Sequence, residues 1–161
     1  MKGIVTVLRA LDTGERELAQ GLDTAAERHR AEHEIHHVAT DLARWSREHA
    51  QCLAYYAHAR GLDLTVPSDA LYVLSPLRQH TAETGGHRPE AGLLLLRDLR
   101  ELHLRATENS LSWEALAQAA QATTDTELLE LTSACHPRTL RQMRWTNTMI
   151  KNLSPQILTS L

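Results

Sequence analysis

The chain reads as an all-α protein: an antiparallel four-helix bundle built from two helical hairpins and one long connection. Three observations carry this expectation. Apolar residues recur at steps of three and four through four long segments, the spacing of one helix face. A single stretch, residues 61–89, concentrates three prolines and three glycines. The composition holds no phenylalanine, three tryptophans and three tyrosines, which suits a core of leucine and alanine between close-packed helices. At 161 residues the whole chain, 1–161, is expected to be one domain with a substantial core.

The first helix is expected over about 3–30, where Ile4, Leu8, Leu11, Leu18, Leu22, Ala25 and His29 share one face. Glu15 fills the central gap in that stripe. The second helix, over about 34–60, carries Ile35, Val38, Leu42, Trp45, Cys52, Tyr56 and Ala59, with His49 in its gap. Between them the hydrophilic run Arg30-Ala-Glu-His-Glu34 places a turn. Residues 61–89 form the connection, and Leu71–Leu74 within it suggest packing along the bundle. The third helix, over about 90–122, opens with Pro89-Glu90 and carries Leu95, Leu99, Leu102, Ala106, Trp113, Leu116 and Ala120 around Asn109. Thr124-Asp-Thr-Glu127 is a capping box for the fourth helix, over about 125–153. That helix is expected to bury Leu128 or Leu129, His136, Leu140, Met143 and Ile150, to kink at Pro137, and to end at Ser154-Pro155.

Composition excludes several function classes. The formal net charge of −3 and the even spread of charge leave no basic footprint for nucleic acid. Basic residues are nearly all arginine, which suits a GC-rich bacterial genome better than phosphate recognition. Two cysteines, Cys52 and Cys135, are too few for a disulfide scaffold and are expected to be buried, reduced thiols. The opening MKGIVTVLR lacks the apolar run of a signal peptide, and no segment is long and apolar enough for a membrane span. A cytoplasmic protein is the expectation.

The four interruptions of the stripes stand at related heights. Glu15 and His49 are equidistant from the first turn, about 25 Å along the axis, and Asn109 and His136 are equidistant from the second, about 20 Å. If the connection traverses the bundle, all four meet in one layer. Two imidazoles and a carboxylate are the donor types of a mononuclear iron, manganese or zinc site. They could equally satisfy one another, as a buried Glu15–His49 ion pair and an Asn109–His136 hydrogen bond.

This arrangement resembles the ferritin-like superfamily, whose bundles share the hairpin–crossover–hairpin plan. That resemblance implies a glutamate on the first helix of each hairpin and Glu-x-x-His on the second. Glu15, His49 and His136 match by position. The sequence departs from the pattern elsewhere: serine replaces glutamate in Ser46-Arg-Glu-His49 and in Ser133-Ala-Cys-His136, and Asn109 stands where a carboxylate is implied. One carboxylate of four is left, so ferroxidase and iron-storage chemistry do not carry over.

Three function classes follow. The first is a ferritin-like bundle with a lost metal centre, a binding or structural protein that requires no cofactor. Its partner would be a protein or small molecule, and a homo-oligomer is compatible with it. The second is a mononuclear metalloprotein or oxidoreductase holding one Fe, Mn or Zn ion on Glu15, His49 and His136 beside Asn109. The third is a zinc hydrolase at His33-Glu34-Ile35-His36-His37, a formal HExxH match with His33 and His37 as ligands. That match falls at a turn, without the mid-helix position and third ligand that a zincin needs.

Overall fold

A computed structural model describes residues 2–66 and 90–161, and within them the chain forms four α-helices and no strand. These are α1 (Lys2–Arg28), α2 (His33–Ala59), α3 (Ala91–Thr123) and α4 (Thr126–Thr159). Each packs on two neighbours: α1 on α2 and α3, α4 on α3 and α2, with α2 and α4 the most loosely joined pair. The result is a four-helix bundle.

Local chemistry sets the helix ends. Backbone N–H groups at the end of α2 return to the Ala57 carbonyl from Leu62, while Gly61 takes a left-handed φ of 65° that suits glycine. The cap of α4 is Asp125, whose carboxylate accepts from Leu128 N at 3.0 Å. The expected capping box is therefore displaced by one residue, because Thr124 is used to end α3 in a left-handed conformation (φ 55°). The helix does not stop at Ser154-Pro155 but runs to Thr159. Pro155 and the carbonyl-bearing residue one turn before it, Lys151, are exposed, so water can serve the carbonyl that the proline leaves free. The same holds at Pro137 and Ser133, and α4 passes unbroken through both prolines.

On α1 and α3 the inward faces are those expected. Leu8, Leu11, Leu18 and Leu22 of α1 are at most 1 % exposed, each contributing roughly 1.5–3 kcal/mol of burial. On α2 the face is rotated. Ala39, Ser46 and Leu53 point inward with Ile35, Leu42, His49 and Tyr56, whereas Val38 and Trp45 are half-buried and Cys52 and Ala59 are exposed. The difference lies in the order of steps: four then three, not three then four.

The fourth helix departs furthest. Its buried line is Leu128, Thr132, Cys135, Thr139, Gln142, Thr146 and Met149, while Leu140 is 43 % exposed and His136 half-buried. Threonine can be buried here because its hydroxyl donates back along the helix: Thr132 to the Leu129 carbonyl, Thr146 to that of Gln142.

The contacts between helices fix their heights. Along α1 and α2, Asp23 meets Arg47 and the Ala26 carbonyl meets His36; along α1 and α3, Gly21 meets Leu102 and Arg28 meets Asp98. Along α2 and α4, the Leu42 carbonyl meets Gln142, Glu48 meets Arg138 and Tyr56 meets Asp125. The α1–α2 turn thus lies by the start of α3, and the α3–α4 turn lies by the end of α2. Leu64 is the last buried residue before position 66; the expected packing of Leu71–Leu74 falls outside the described residues.

Candidate functional site

The apolar interior is interrupted at mid-bundle. One cluster gathers Leu8, Leu11, Leu53, Trp113 and Leu128, and a second gathers Leu18, Leu22, Leu42 and Leu102. Glu15, His49 and Asn109 sit between them in sequence on α1, α2 and α3. They are buried to 0 %, 1 % and 3 % exposure. A fully buried carboxylate is expensive unless its charge is answered.

Two groups answer it. The indole N–H of Trp113 donates to Glu15 Oε1 at 3.0 Å, a bond between elements 98 residues apart. His49 Nδ1 lies 3.3 Å from the same oxygen, an ion-pair distance whose geometry falls short of a hydrogen bond. The imidazole also meets the Trp113 ring edge-on, with centroids 5.8 Å apart and planes at 83°. Glu15 Oε2, both ring nitrogens of His49 and Asn109 Nδ2 have no hydrogen-bond partner. Such orphaned buried groups are rare in folded proteins. The centre therefore holds hydrogen-bonding capacity that its own side chains leave unmet.

Asn109 reaches the layer from α3 only because α1 carries glycine opposite it. A β-carbon at position 14 would collide with Asn109 Oδ1. His136, by contrast, does not join the layer. Its Nε2 pairs with Ser110 Oγ at 2.8 Å and its Nδ1 lies 3.7 Å from Glu114 Oε2. The expected Asn109–His136 hydrogen bond is thus replaced by one to the next residue, because α4 turns Cys135 and Thr139 inward and carries His136 to its flank.

The two serines that stand for glutamate have different fates. Ser46 is fully buried, and its hydroxyl accepts from Gln142 Nε2 at 2.8 Å, which also donates to the Leu42 carbonyl at 3.0 Å. Ser133 is exposed, so even a glutamate there would start from outside the layer. Among the described residues no group of three or more His, Cys, Asp or Glu is arranged to hold a metal ion. The donors present do not fit a di-metal centre.

The histidines near the first turn form a separate cluster. His33 and His37 are exposed and stack at 6.2 Å with planes at 11°, while His36 Nδ1–H donates to the Ala26 carbonyl at 2.9 Å. The motif opens α2 at its first turn, where a zincin would need mid-helix placement and a third ligand. His29 is buried and pairs through Nε2 with Asp98 Oδ2 at 2.7 Å; Arg28 grips both oxygens of that carboxylate.

Sequence reasoning placed Trp113 in the core but missed its hydrogen bond to Glu15, and it missed Gln142 altogether. An indole on an inward face was a usable signal, since a buried tryptophan N–H usually finds an acceptor and Glu15 was already singled out.

The fold and this centre define a class: an all-helical four-helix bundle with a buried carboxylate, imidazole and indole at mid-height. No family model matches the chain, and neither a curated protein nor a solved structure matches it. Among the described residues no helix is long and apolar enough to cross a membrane.

Proposed function

We propose that this is a ferritin-like bundle, antiparallel with one crossover connection, whose di-metal layer has been replaced by a tryptophan-bridged carboxylate–imidazole pair. It acts as a binding or structural protein in the bacterial cytoplasm, not in iron storage, and requires no cofactor. The contact pairs support the topology: in each neighbouring pair of helices, low residue numbers on one meet high numbers on the other.

The observation that carries the functional reading is Trp113. Its N–H occupies Glu15 Oε1 and its ring packs against His49. The most voluminous side chain of the layer thus lies against the one carboxylate and the one imidazole left from a di-metal donor set. A di-iron pair depends on bridging carboxylates from several helices.

One observation favours a second reading, a single Fe, Mn or Zn ion. Glu15 Oε2 and the His49 nitrogens lack partners, as metal donors would before loading. That reading supplies two protein donors where mononuclear sites use three, because His136 faces Ser110.

The test is aerobic loading with ferrous iron, followed by optical detection of oxidation and metal analysis of the desalted protein. Negligible oxidation and no retained metal are expected. One retained ion per chain, lost in Glu15→Leu, would favour the second reading; two irons with rapid oxidation would overturn both.

A further inference from the structure

Three helices deliver unsatisfied polar atoms to one level of the core. Glu15 of α1 lies 3.3 Å from His49 of α2, and Asn109 of α3 packs against Gly14, the residue next to Glu15. Among the described residues, Glu15 Oε2, Asn109 Nδ2 and both ring nitrogens of His49 find no hydrogen bond, although the three side chains are buried. Groups that have given up their bonds to water are rarely left so in a folded protein.

We propose that this level of the bundle is a binding site for one ordered water molecule, held by Glu15 Oε2, Asn109 Nδ2 and His49.

The protein atoms do not satisfy one another directly. Oε1 of Glu15 is taken by the Trp113 indole N–H at 3.0 Å. His49 Nδ1 approaches that same oxygen, in a geometry short of a hydrogen bond. The Trp113 ring packs edge-on against the imidazole and restrains its swing.

The chemistry of the unmet atoms selects the guest. A carboxylate oxygen accepts a hydrogen bond, whereas an amide N–H donates one. The Asn109 oxygen lies nearer the β-carbon position of Gly14 than its nitrogen does, so the nitrogen is the amide atom left over. A guest touching both must donate to one and accept from the other. Water does this and keeps a second hydrogen for an imidazole nitrogen, giving the three or so bonds that a buried water typically makes. A metal ion would serve Oε2 and a ring nitrogen but would meet the Asn109 N–H with like polarity. The assignment rests on this complementarity and not on the ferritin-like reading.

The experiment is a high-resolution crystal structure of the full-length chain as purified, with anomalous data at the iron, manganese and zinc edges. One density peak without anomalous signal, about 2.5–3.2 Å from both Glu15 Oε2 and Asn109 Nδ2, is expected. A peak about 2.0–2.2 Å from Glu15 that scatters anomalously would be a metal ion and would overturn the proposal. So would the lack of any peak, or direct bonds from Oε2 and Nδ2 to other protein atoms. In solution, oxygen-17 relaxation dispersion should count one more long-lived water in wild type than in Asn109→Leu, and equal counts would also overturn it. If Asn109→Leu fails to fold, the wild-type density still decides.

Discussion

Trp113 and Glu15 are joined by a buried hydrogen bond of 3.0 Å between α3 and α1, with neither side chain exposed to solvent. The bond gives the indole a geometric task beyond filling space. Trp113→Phe keeps most of the ring and removes the donor, leaving Glu15 with its ion-pair contact alone. A loss of about 1–3 kcal/mol is expected from the unmet acceptor, and about 3–5 kcal/mol for Trp113→Ala, which also opens a cavity. Urea unfolding would measure both. A phenylalanine variant as stable as wild type would show that the N–H does not matter.

Glu15 and His49 form a second coupling within the same layer. Removing either partner strands the other in an apolar interior, so Glu15→Leu and His49→Leu should each cost about 3–5 kcal/mol. The double variant should recover part of that loss, because neither buried polar group is then left without its partner. A double-mutant cycle reads the coupling directly. Strict additivity of the two losses would show that the residues do not act as a pair.

Gly14 offers a test of packing. Alanine normally strengthens a helix by about 1 kcal/mol over glycine, but here the new methyl group meets the amide oxygen of buried Asn109. Gly14→Ala should therefore destabilise by about 1–2 kcal/mol net of that gain. Adding Asn109→Ala removes the obstacle, so the double variant should be more stable than Gly14→Ala alone. Thermal unfolding of both proteins checks the sign; stabilisation by Gly14→Ala in an otherwise wild-type chain would contradict the contact.

Tyr56 contributes to the alkaline limit of stability at the other end of the bundle. Its hydroxyl donates to Asp125 Oδ2 at 2.5 Å, and burial, aided by that hydrogen bond, raises the phenol from 10.0 to about 12. The folded state holds the proton more tightly than the unfolded chain does. The contact therefore contributes fully below about pH 10 and is lost as pH rises through about 12, on the order of 2–3 kcal/mol. Asp125 is held below the usual carboxylate range, first by the Tyr56 hydrogen bond, so its share is lost only as pH falls into the acid range. Tyr56→Phe should flatten the alkaline limb of a stability profile. An unchanged limb would assign the alkaline loss to other groups.

Much of the bundle is legible in the sequence, because burying a leucine stripe is a strong and local instruction. Leu8, Leu11, Leu18 and Leu22, and Leu95, Leu99, Leu102 and Leu116, name the inward faces of α1 and α3 without reference to any other helix. Glu15 and His49 stand out for the same reason, as polar, titratable side chains placed inside such stripes. Equal distance from one turn was enough to pair them, since helix rise is constant.

What the sequence could not determine was settled by partners distant in the chain. Thr132, Thr139, Gln142 and Thr146 form the inward face of α4 although Leu140 lies on the same helix, and Leu140 is left 43 % exposed. Gln142 is tolerable inside only because Ser46 and the Leu42 carbonyl of α2 receive its N–H groups. Once that face is chosen, His136 is carried round to Ser110 and cannot reach Glu15's layer, and Trp113 supplies the hydrogen bond to the carboxylate. Apolar periodicity reports how each residue relates to water, and it fixed three of the helices to within a small rotation. Hydrogen bonds between helices report how residues relate to each other, and only assembled neighbours can decide which polar groups a core will accept.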